Sequence, residues 1–414
     1  RGYILRRLIR RMVRHMNKLQ ISLDELSTLI DINVENLKEM VKEQHMLPIY
    51  EKLIARMRKQ KQMQTEVMAQ IAAPLLTWYP SHARDLPWRR TKEPYRIWLS
   101  EVMLQQTRVS AALPYYERFL AALPDIPALA TCDEEKLHKL WEGLGYYSRV
   151  RNLQKAAKIV CEQYGGQLPA DYAALRALPG IGDYTAGAIA SISFGIPVPA
   201  VDGNVLRVFS RLYNDPGVIT EPAVKKAFTA RVMEHQPPEK AGDYNQALME
   251  LGALVCVPNG APLCGQCPLA ALCRARAAGT TAQLPQKAKP KPRKLVPVTL
   301  ALVESPAGFL VQQRPQKGLL AGLWQPVLWE GEHLLQAEVL ARLAALGLDT
   351  GTAAPAALPA AKHIFTHIEW LMSGVQLRVP AQNAPAGYVW ASREQLRTTY
   401  ALPGAFRAYK PLLL

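Results

Sequence analysis

The sequence predicts a multidomain protein: a mostly helical part, a separate α/β domain after it, and a short helical extension before it. Three observations predict this organisation. The chain has 414 residues, which is enough for two or three domains. From about Thr65 to Ala277, apolar residues recur at helical spacing and are interrupted by Pro and Gly turns. After a Lys- and Pro-rich stretch at 278–294, the periodicity changes to that of strands.

Residues 1–63 form a basic extension. The first 18 residues contain six arginines and one lysine, and no acidic residue. Two short helical patterns follow, for which Ser22 and Asn33 are candidate N-caps. The segment Ile21–Val41 therefore resembles a helix-turn-helix, but a small helical extension with no partner of its own fits the same pattern.

Charge narrows the class of partner. The chain has 50 Lys and Arg against 34 Asp and Glu, a formal charge of +16, which favours a polyanion such as nucleic acid. No apolar run approaches the roughly 20 residues that a membrane helix needs. We therefore expect no membrane partner and, since no signal peptide is evident, a cytoplasmic protein.

Residues 295–414 predict an independent α/β domain. The linker before it alternates Lys with Pro, which favours an extended, solvated chain. Its predicted elements are strands at Val296–Val303 and Phe309–Gln313, a helix at 333–346, a strand pair or one long strand at Ile364–Leu377, and a helix at Ala405–Leu413.

Four cysteines predict a metal centre. They follow the pattern C-x7-C-x2-C-x5-C, at Cys256, Cys264, Cys267 and Cys273. A single C-x2-C knuckle flanked by lone cysteines favours a cubane iron–sulfur cluster, because structural zinc usually takes two such knuckles. Zinc and disulfides remain alternatives at this stage, although disulfides suit an oxidising compartment that nothing else here indicates.

A glycine-rich turn and two carboxylates suggest chemistry on a nucleic acid. The segment Leu178-Pro-Gly-Ile-Gly182 follows a short helix and opens another that runs to about Phe194. It predicts a helix-hairpin-helix that can bind a phosphate, or else a plain helical turn.

Glu101 lies on the apolar stripe of a helix, where burial would raise its pKa. Asp202 precedes another helix. A carboxylic acid with a raised pKa, paired with an ionised aspartate, can cleave a bond at an anomeric carbon. A surface-edge glutamate and a capping aspartate are the plain alternatives.

The order of these motifs resembles the iron–sulfur helix-hairpin-helix DNA glycosylases, and among them the adenine DNA glycosylase (MutY) family. The resemblance covers about residues 65–410. The closest segments are LPWR (86–89), SEVMLQQTRV (100–109), WEGLGYYSRVRNL (141–153), LPGIGDYTAGAI (178–189), VDGNVLRV (201–208) and NQALMELGALVC (245–256). The last domain resembles a Nudix fold.

The resemblance implies a glycosylase domain at 64–277 that carries a 4Fe-4S cluster and removes adenine opposite 8-oxoguanine or guanine from double-stranded DNA. Glu101 would protonate adenine N7 and help activate water, and Asp202, near Asn204, would stabilise the sugar cation or bond to it transiently. The implied adenine pocket contains Arg84, Trp88, Arg89, Leu104, Tyr184 and Glu250. The implied DNA contacts are Gln106, Thr107, Tyr146, Gly180, Ile181 and Gly182, with Gln106 and Tyr146 as wedges. The four cysteines would hold the cluster structurally and present Arg274 and Arg276 to DNA.

Three departures refine this interpretation. Bifunctional relatives have a nucleophilic lysine where this chain has Tyr184, so we expect hydrolysis by water without strand cleavage. The first cysteine gap is seven residues where six is commoner, a difference that a loop tolerates. The R-E-x-x-E-E set of a Nudix hydrolase is absent, since the helix at 333–346 offers Glu338 alone, so we do not expect phosphohydrolysis.

The resemblance instead implies that the Nudix-like domain recognises 8-oxoguanine through Phe365, Thr366 and His367, with Thr where Ser is frequent. We expect a monomer acting at a bacterial nucleoid. The alternatives are a thymine- or oxidised-pyrimidine-specific glycosylase on the same scaffold, and a module that binds damaged DNA without chemistry.

Overall fold

The computed structural model describes residue 66 and residues 69–288, 292–352 and 354–414. The basic extension and its helix-turn-helix-like pattern lie outside the described residues. The chain divides into two compact units, Arg1–Thr77 and Trp78–Leu414. All features discussed below belong to the second unit. Within the described ranges, no helix combines the length and the apolarity needed to cross a bilayer.

The first part of this unit is helical, as predicted. Its α-helices are Pro94–Met103, Val109–Ala122, Ile126–Thr131, Glu134–Trp141, Ser148–Tyr164, Tyr172–Ala177, Asp183–Phe194, Gly203–Tyr213, Pro222–Glu234, Ala241–Leu254 and Arg274–Ala277. Short 3-10 turns lie at Pro87–Arg89, Pro238–Lys240, Cys264–Gln266 and Thr281–Gln283. Four helices are named here by a residue or motif: the Glu101 helix (Pro94–Met103), the hairpin helix (Asp183–Phe194), the Asp202 helix (Gly203–Tyr213) and the Glu250 helix (Ala241–Leu254).

Local sequence fixes where the helices begin and end. The Glu101 helix starts with Pro94, and the side chain of Glu93 accepts from the free N–H groups of Tyr95 (3.0 Å) and Arg96 (2.8 Å). The hairpin helix ends at Gly195, whose φ of 68° is a left-handed conformation that glycine adopts without steric cost. These caps satisfy backbone groups that a helix end would otherwise leave unpaired.

Close helix packing brings the predicted site residues together. The hairpin helix packs against both the Glu101 helix and the Glu250 helix, and the Glu250 helix also packs against the Asp202 helix. Two glycines permit the approach: a Cβ on Gly187 would lie 2.2 Å from the Pro199 carbonyl oxygen, and one on Gly242 would lie 2.7 Å from the Ser191 carbonyl oxygen. A larger residue at either position would force the backbones apart.

The second part is built on a mixed sheet with helices packed around it, as predicted for a Nudix-like domain. Its strands are β1 (Lys294–Ser305), β2 (Gly308–Gln313), β3 (Trp324–Glu330), β4 (Ala356–Ala357), β5 (Ala361–Ile364), β6 (Ile368–Arg378) and β7 (Tyr388–Ala391). Their order is β4-β6-β1-β3-β2-β7, with β5 also pairing with β6. Strand β1 is parallel to β6, with Lys294 opposite Ile368, and the other pairs are antiparallel.

Apolar cores cover both faces of this sheet, which explains the long buried run in β1. One core gathers Trp370, Phe406 and Tyr409, and the other gathers Val339 and Leu343. The latter two belong to the helix Gln336–Ala345. The remaining α-helices are Arg393–Thr398 and Lys410–Leu413.

Three sequence expectations change in detail. Of the two alternatives for Ile364–Leu377, the structure has the strand pair, and the pair begins earlier than predicted because β5 is Ala361–Ile364. The prediction of a continuous helix at Ala405–Leu413 was wrong: a 3-10 turn at Gly404–Phe406 precedes a separate helix that begins beside Pro411, because proline cannot continue the hydrogen-bond ladder of an earlier turn.

The expectation of a solvated linker was wrong for its first half. Leu284 is buried, the Ile219 N–H donates to the Gln286 carbonyl (3.0 Å), and the Ala288 N–H donates to Thr220 Oγ1 (3.2 Å). Backbone pairing therefore docks the chain against the helical part before the Lys-Pro repeat begins.

Candidate active site

A cleft of about 1380 Å³ lies between the helices named above. Small-molecule pockets usually measure about 300–1,000 Å³, so this cleft suits part of a larger ligand. The sequence-predicted residues that line it are Arg84, Trp88, Arg89, Glu101, Leu104, Gln106, Thr107, Tyr184, Asp202 and Asn204. Gln105, Thr220, Lys225, Met249 and Asn259 also line it and were not predicted.

Glu101 lies at the buried wall of this cleft, with 5% of its surface exposed. Its Oε2 accepts a hydrogen bond of 2.6 Å from the Tyr184 hydroxyl, which also lies 3.7 Å from Met249 Sδ. Burial raises the pKa of Glu101, and Asp202 adds to that effect, while the Tyr184 hydrogen bond and the charge of Arg89 oppose it. Glu101 is therefore buried rather than at the surface edge, and its pKa is raised in the direction expected of a buried glutamate.

Tyr184 acts on Glu101 as a neutral donor. Burial raises the pKa of Tyr184 well above its ordinary value, and the neighbouring carboxylates Glu101 and Asp202 raise it further. The phenol therefore keeps its proton at physiological pH, and its hydroxyl donates to Glu101 Oε2.

Asp202 is half-buried and caps the Asp202 helix. Its Oδ1 accepts from the Val205 N–H (2.8 Å), and its Oδ2 accepts from Asn204 Nδ2 (2.7 Å). Burial raises the pKa of Asp202, whereas the hydrogen bonds from Val205 and Asn204 and the charge of Arg207 favour the ionised form. Capping of the helix and a position in the cleft are thus not alternatives, since the Asp202 carboxylate caps the helix and also lines the cleft.

Glu250 lies behind the cleft wall and gathers its arginines. It is fully buried, and it accepts from Arg84 Nε (2.8 Å), Arg84 Nη2 (3.0 Å) and Arg89 Nη2 (3.0 Å). Arg89 Nη1 also donates to Gln246 Oε1 (2.5 Å). Burial alone would raise the pKa of Glu250, but the two arginines hold it below its usual value. Both cations are therefore fixed in place by a single buried carboxylate.

Arg207 connects Asp202 to the cysteine loop and was not predicted. Its Nη2 donates to Asn204 Oδ1 (2.8 Å) and to the Gly252 carbonyl (2.9 Å), and its Nε donates to the Cys256 carbonyl (2.8 Å). Its spacing of three residues from Asn204 puts the two side chains on one helix face, which is the sequence signal that could have indicated the contact.

The four cysteines of the motif line one small cavity, together with Arg211 and Arg276. None of them forms a disulfide. Cys256 Sγ accepts from Arg211 Nη1 (3.3 Å), and burial raises the pKa of the Cys267 thiol to about 11. A buried group of thiols of this kind needs the positive charge of a metal centre to exist as thiolates.

Across the described ranges, no group of three or more His, Cys, Asp or Glu side chains is already arranged to hold one metal ion.

The hairpin has the predicted form. The helices Tyr172–Ala177 and Asp183–Phe194 flank a turn in which Gly180 has a φ of 78°, and a Cβ there would lie 2.8 Å from Asn152 Cβ. Gly182 is the N-cap and provides no side-chain acceptor to the helix behind it. The first N–H groups of that helix are thus available to an anion.

Gln106 and Tyr146, the predicted wedge residues, both adopt left-handed backbone conformations. Their φ values are 58° and 47°, which non-glycine residues rarely adopt. Both side chains are exposed.

The predicted lesion-reading residues occupy the turn between β5 and β6. The Phe365 ring is half-buried and lies 5.0 Å from the Trp370 ring, edge to face. Thr366 and His367 are exposed, and the His367 carbonyl accepts from the Lys294 N–H (2.9 Å). In the same domain Glu338 accepts from the Leu335 N–H (2.7 Å), so the one carboxylate of the degenerate Nudix helix caps that helix.

Comparison with known proteins identifies both parts. Residues 99–234 match the HhH-GPD superfamily of base excision DNA repair proteins, and residues 298–410 match the NUDIX domain family. The adenine DNA glycosylase of Homo sapiens is 36% identical over 407 residues, covering 81% of this chain and 73% of the human protein. That of Mus musculus is 35% identical, covering 81% and 77%. The solved structure of a thermostable thymine-DNA glycosylase covers 52% of this chain and 98% of its own at 27% identity, with a TM-score of 0.46.

Glu101 should lower the stability of the fold at neutral pH. Because its pKa is raised in the folded state, its contribution is favourable below the unfolded-state pKa and is lost as the pH rises through the folded-state pKa. We expect Glu101→Gln to increase the free energy of unfolding at pH 8 by on the order of 1 kcal/mol, the usual scale when a costly functional group is replaced. This gain in the free energy of unfolding should vanish in acid. Urea unfolding of both proteins at a series of pH values measures it.

The matched control is Glu117→Gln, at an exposed helical position, which should change stability little at any pH. A Glu101→Gln protein that is less stable than the parent at pH 8 would contradict the assignment of a destabilising buried carboxylate.

Proposed function

Because the chain belongs to the adenine DNA glycosylase family, we propose that it removes adenine paired with 8-oxoguanine, or with guanine, from double-stranded DNA. Adenine DNA glycosylases break the N-glycosidic bond between the base and its deoxyribose. The observation that carries the proposal is the common cleft of Glu101, Tyr184 and Asp202, in which two carboxyl groups have unlike hydrogen-bond environments.

In this proposal Glu101 is the general acid. Its raised pKa keeps a proton available near neutral pH, and its position in the cleft allows transfer of that proton to adenine N7. Protonation makes the base a better leaving group. Once the base has left, the same carboxylate accepts a proton from the water that attacks the sugar.

Asp202 stabilises the positive charge that develops on the sugar. Its hydrogen bonds from the Val205 N–H and from Asn204 hold the carboxylate in one orientation and favour its ionised form. A fixed counter-charge of this kind needs little reorganisation as the bond breaks. A transient bond between Asp202 and the sugar is compatible with the same placement.

We assign recognition of adenine to the cleft wall around Arg84, Trp88, Arg89, Leu104 and Tyr184, supported from behind by Glu250. The arginine–carboxylate pairs fix these side chains before the ligand arrives. Since Tyr184 replaces the lysine of bifunctional relatives, the cleft offers no amine at that position, and water is the nucleophile.

DNA is held at several points in this proposal. Gly180, Ile181 and Gly182 bind a phosphate through the free N–H groups behind the hairpin. Gln106, Thr107 and Tyr146 enter the duplex where the adenine leaves it. Ala288 is held by Thr220, which lines the cleft, and the lysines of the linker add positive charge along the DNA. The enzyme acts as a monomer and, in a bacterial host, at the nucleoid.

We assign the domains as 64–277 for glycosylase chemistry and 295–414 for recognition of 8-oxoguanine through Phe365, Thr366 and His367. Contacts between the two parts support joint action. Lys139 Nζ donates to the Leu396 carbonyl (2.8 Å), and Glu142 lies 2.5 Å from Lys139 and 2.7 Å from Lys410.

Cys256, Cys264, Cys267 and Cys273 hold a 4Fe-4S cluster in this proposal. When bound, a cluster would supply the positive charge that favours the four thiolates, and the four cysteines would tie their loop together around it. The loop residues Arg274 and Arg276 are then presented to DNA.

The catalytic assignment predicts large effects from isosteric changes. Glu101→Gln should lower the single-turnover rate of adenine release by about 10²–10⁴-fold, the usual contribution of general acid catalysis. Asp202→Asn should lower it by about 10²–10³-fold through loss of the counter-charge. Binding to an A:8-oxoG duplex should change little in either variant, and Glu117→Gln serves again as control. A near-parental rate in either variant would refute the assignment.

The domain assignment predicts a specific loss of discrimination. His367→Ala should lower the ratio of single-turnover rates on A:8-oxoG and A:G duplexes by about tenfold, the effect of losing one hydrogen bond worth roughly 1.4 kcal/mol. The single-turnover rate on the A:G duplex should stay at the parental value. Adding Phe365→Ala to His367→Ala should lower the ratio further, although this second change also removes the contact with Trp370.

His333→Ala, at another histidine of the same domain, should leave that ratio unchanged. An unchanged ratio in the His367→Ala protein would mean that the lesion is read elsewhere.

The cofactor assignment predicts the elemental content of the purified protein. We expect iron and acid-labile sulfide in equal amounts, visible charge-transfer absorption, and no stoichiometric zinc. Cys264→Ser should reduce all three iron–sulfur signals. Stoichiometric zinc without sulfide would overturn the cluster assignment and leave the catalytic one untouched.

A further inference from the structure

Arg149 is a buried cation with an unusual set of partners. It is the second residue of the helix Ser148–Tyr164 and has 8% of its surface exposed. Its Nη1 donates to the carbonyls of Val102 (3.0 Å), Met103 (2.9 Å) and Gln105 (2.6 Å), and to Thr107 Oγ1 (3.2 Å). Its Nη2 donates to the carbonyls of Leu144 (3.0 Å) and Gly145 (3.1 Å).

These acceptors belong to two segments that lie about 40 residues apart in the sequence: the end of the Glu101 helix with the loop after it, and the turn before Tyr146. Val102 and Met103 end the helix that carries Glu101, where carbonyls run out of helical donors, and the Val102 carbonyl also accepts from the Leu104 and Gln105 N–H groups. Gln105 and Thr107 flank Gln106 in the loop that follows. Leu144 and Gly145 form the turn that leads to Tyr146. One guanidinium thus joins the end of the Glu101 helix to both loops that carry the proposed wedge residues.

The two wedge residues need such support because their backbones are strained. Gln106 and Tyr146 adopt left-handed conformations at φ values of 58° and 47°, and each such position costs on the order of 1 kcal/mol or more. Arg149 binds the carbonyl directly before each of them, those of Gln105 and Gly145. Its guanidinium carbon also lies 5.7 Å from the centre of the Tyr146 ring.

Resting on the function proposed above, we propose that Arg149 is a positioning residue that holds Gln106 and Tyr146 in fixed register with Glu101 before DNA binds. A planar guanidinium suits this role because its donors point in two fixed directions, towards two separate groups of acceptors. A lysine carries its three N–H donors on one nitrogen at the end of a flexible chain, so it cannot reach both groups of acceptors at once. The carbonyls at the end of the Glu101 helix also present the negative end of its dipole to the buried charge.

The test measures extrusion of the base separately from folding and binding. Arg149→Lys and Arg149→Gln are introduced into the Glu101→Gln background, in which the duplex stays uncleaved. The probe is a duplex carrying 2-aminopurine opposite 8-oxoguanine, whose fluorescence rises when the base leaves the stack. Melting temperature and duplex affinity are measured on the same proteins. Arg314→Lys is the matched control, since Arg314 also binds a carbonyl (Leu319, 2.8 Å) and lies over a tryptophan ring (Trp370, 5.7 Å).

We expect both Arg149 variants to bind the duplex within a few-fold of the parent but to lose most of the fluorescence rise at saturation. With Glu101 restored, Arg149→Lys should lower the single-turnover rate by on the order of 10- to 100-fold, the effect of a misplacement of about 1 Å at a reaction centre. The pH dependence of that rate should be unchanged, because the Glu101–Tyr184 contact is untouched. Arg314→Lys should match its parent in every measurement.

Each of the remaining outcomes contradicts either the positioning role of Arg149 or the proposed function. A folded Arg149→Lys protein with the full fluorescence rise and the parental rate overturns this inference alone. Failure of both Arg149 variants to fold also overturns it, since a purely structural role then suffices. If the Glu101→Gln parent binds the duplex without any fluorescence rise, the proposed function itself fails.

Discussion

The Asp202 helix is the element on which the candidate active site depends, because its polar side chains connect three regions. Asp202 caps its first turn and faces the cleft. Arg207 binds Asn204 on one side and the Cys256 carbonyl on the other. Arg211, one turn further along, binds Cys256 Sγ, the Val257 carbonyl and the Leu284 carbonyl. Both arginines are almost fully buried. A buried charge without partners is costly, so these contacts leave the helix little freedom to shift. The position of the catalytic carboxylate is therefore set by the same contacts that hold the cysteine loop and the start of the linker.

The positive charges of the cleft are paired with a carboxylate other than Glu101. Arg84 and Arg89 line the same cleft as Glu101, where unpaired cations would favour the ionised glutamate. Both arginines are instead hydrogen-bonded to Glu250, whose carboxylate is completely buried. Arg89 still lowers the pKa of Glu101, but burial outweighs that effect. The carboxylate of Glu250 thus offsets the two arginines while burial raises the pKa of Glu101.

The sequence indicated those parts of the site that depend on local pattern. Helical spacing placed Glu101 on an apolar stripe and left its burial open. A Gly-Ile-Gly turn predicted the hairpin, and the position of Asp202 before a helix indicated its capping bonds. Arg149, Arg207 and Arg211 were missed for a common reason. Arginine is usually exposed, and the main partners of these three are backbone carbonyls 40 or more residues away in several cases, such as Cys256 and Val102. A carbonyl is present at every position, so no residue type marks the contact. The docked linker was missed likewise, because Ile219 and Gln286 pair through backbone atoms alone.

Tyr184 connects the proposed type of reaction to the environment of Glu101. The proposed function places a phenol where the resemblance implies an amine in bifunctional glycosylases, and burial together with two neighbouring carboxyl groups keeps the proton of this phenol in place. The hydroxyl donates to Glu101 at 2.6 Å, so it orients the carboxyl group and moderates the rise of its pKa. Under the proposed function, the tyrosine therefore has two consequences. Attack on the sugar is left to water, and the tyrosine becomes part of the environment that tunes the pKa of the proposed acid.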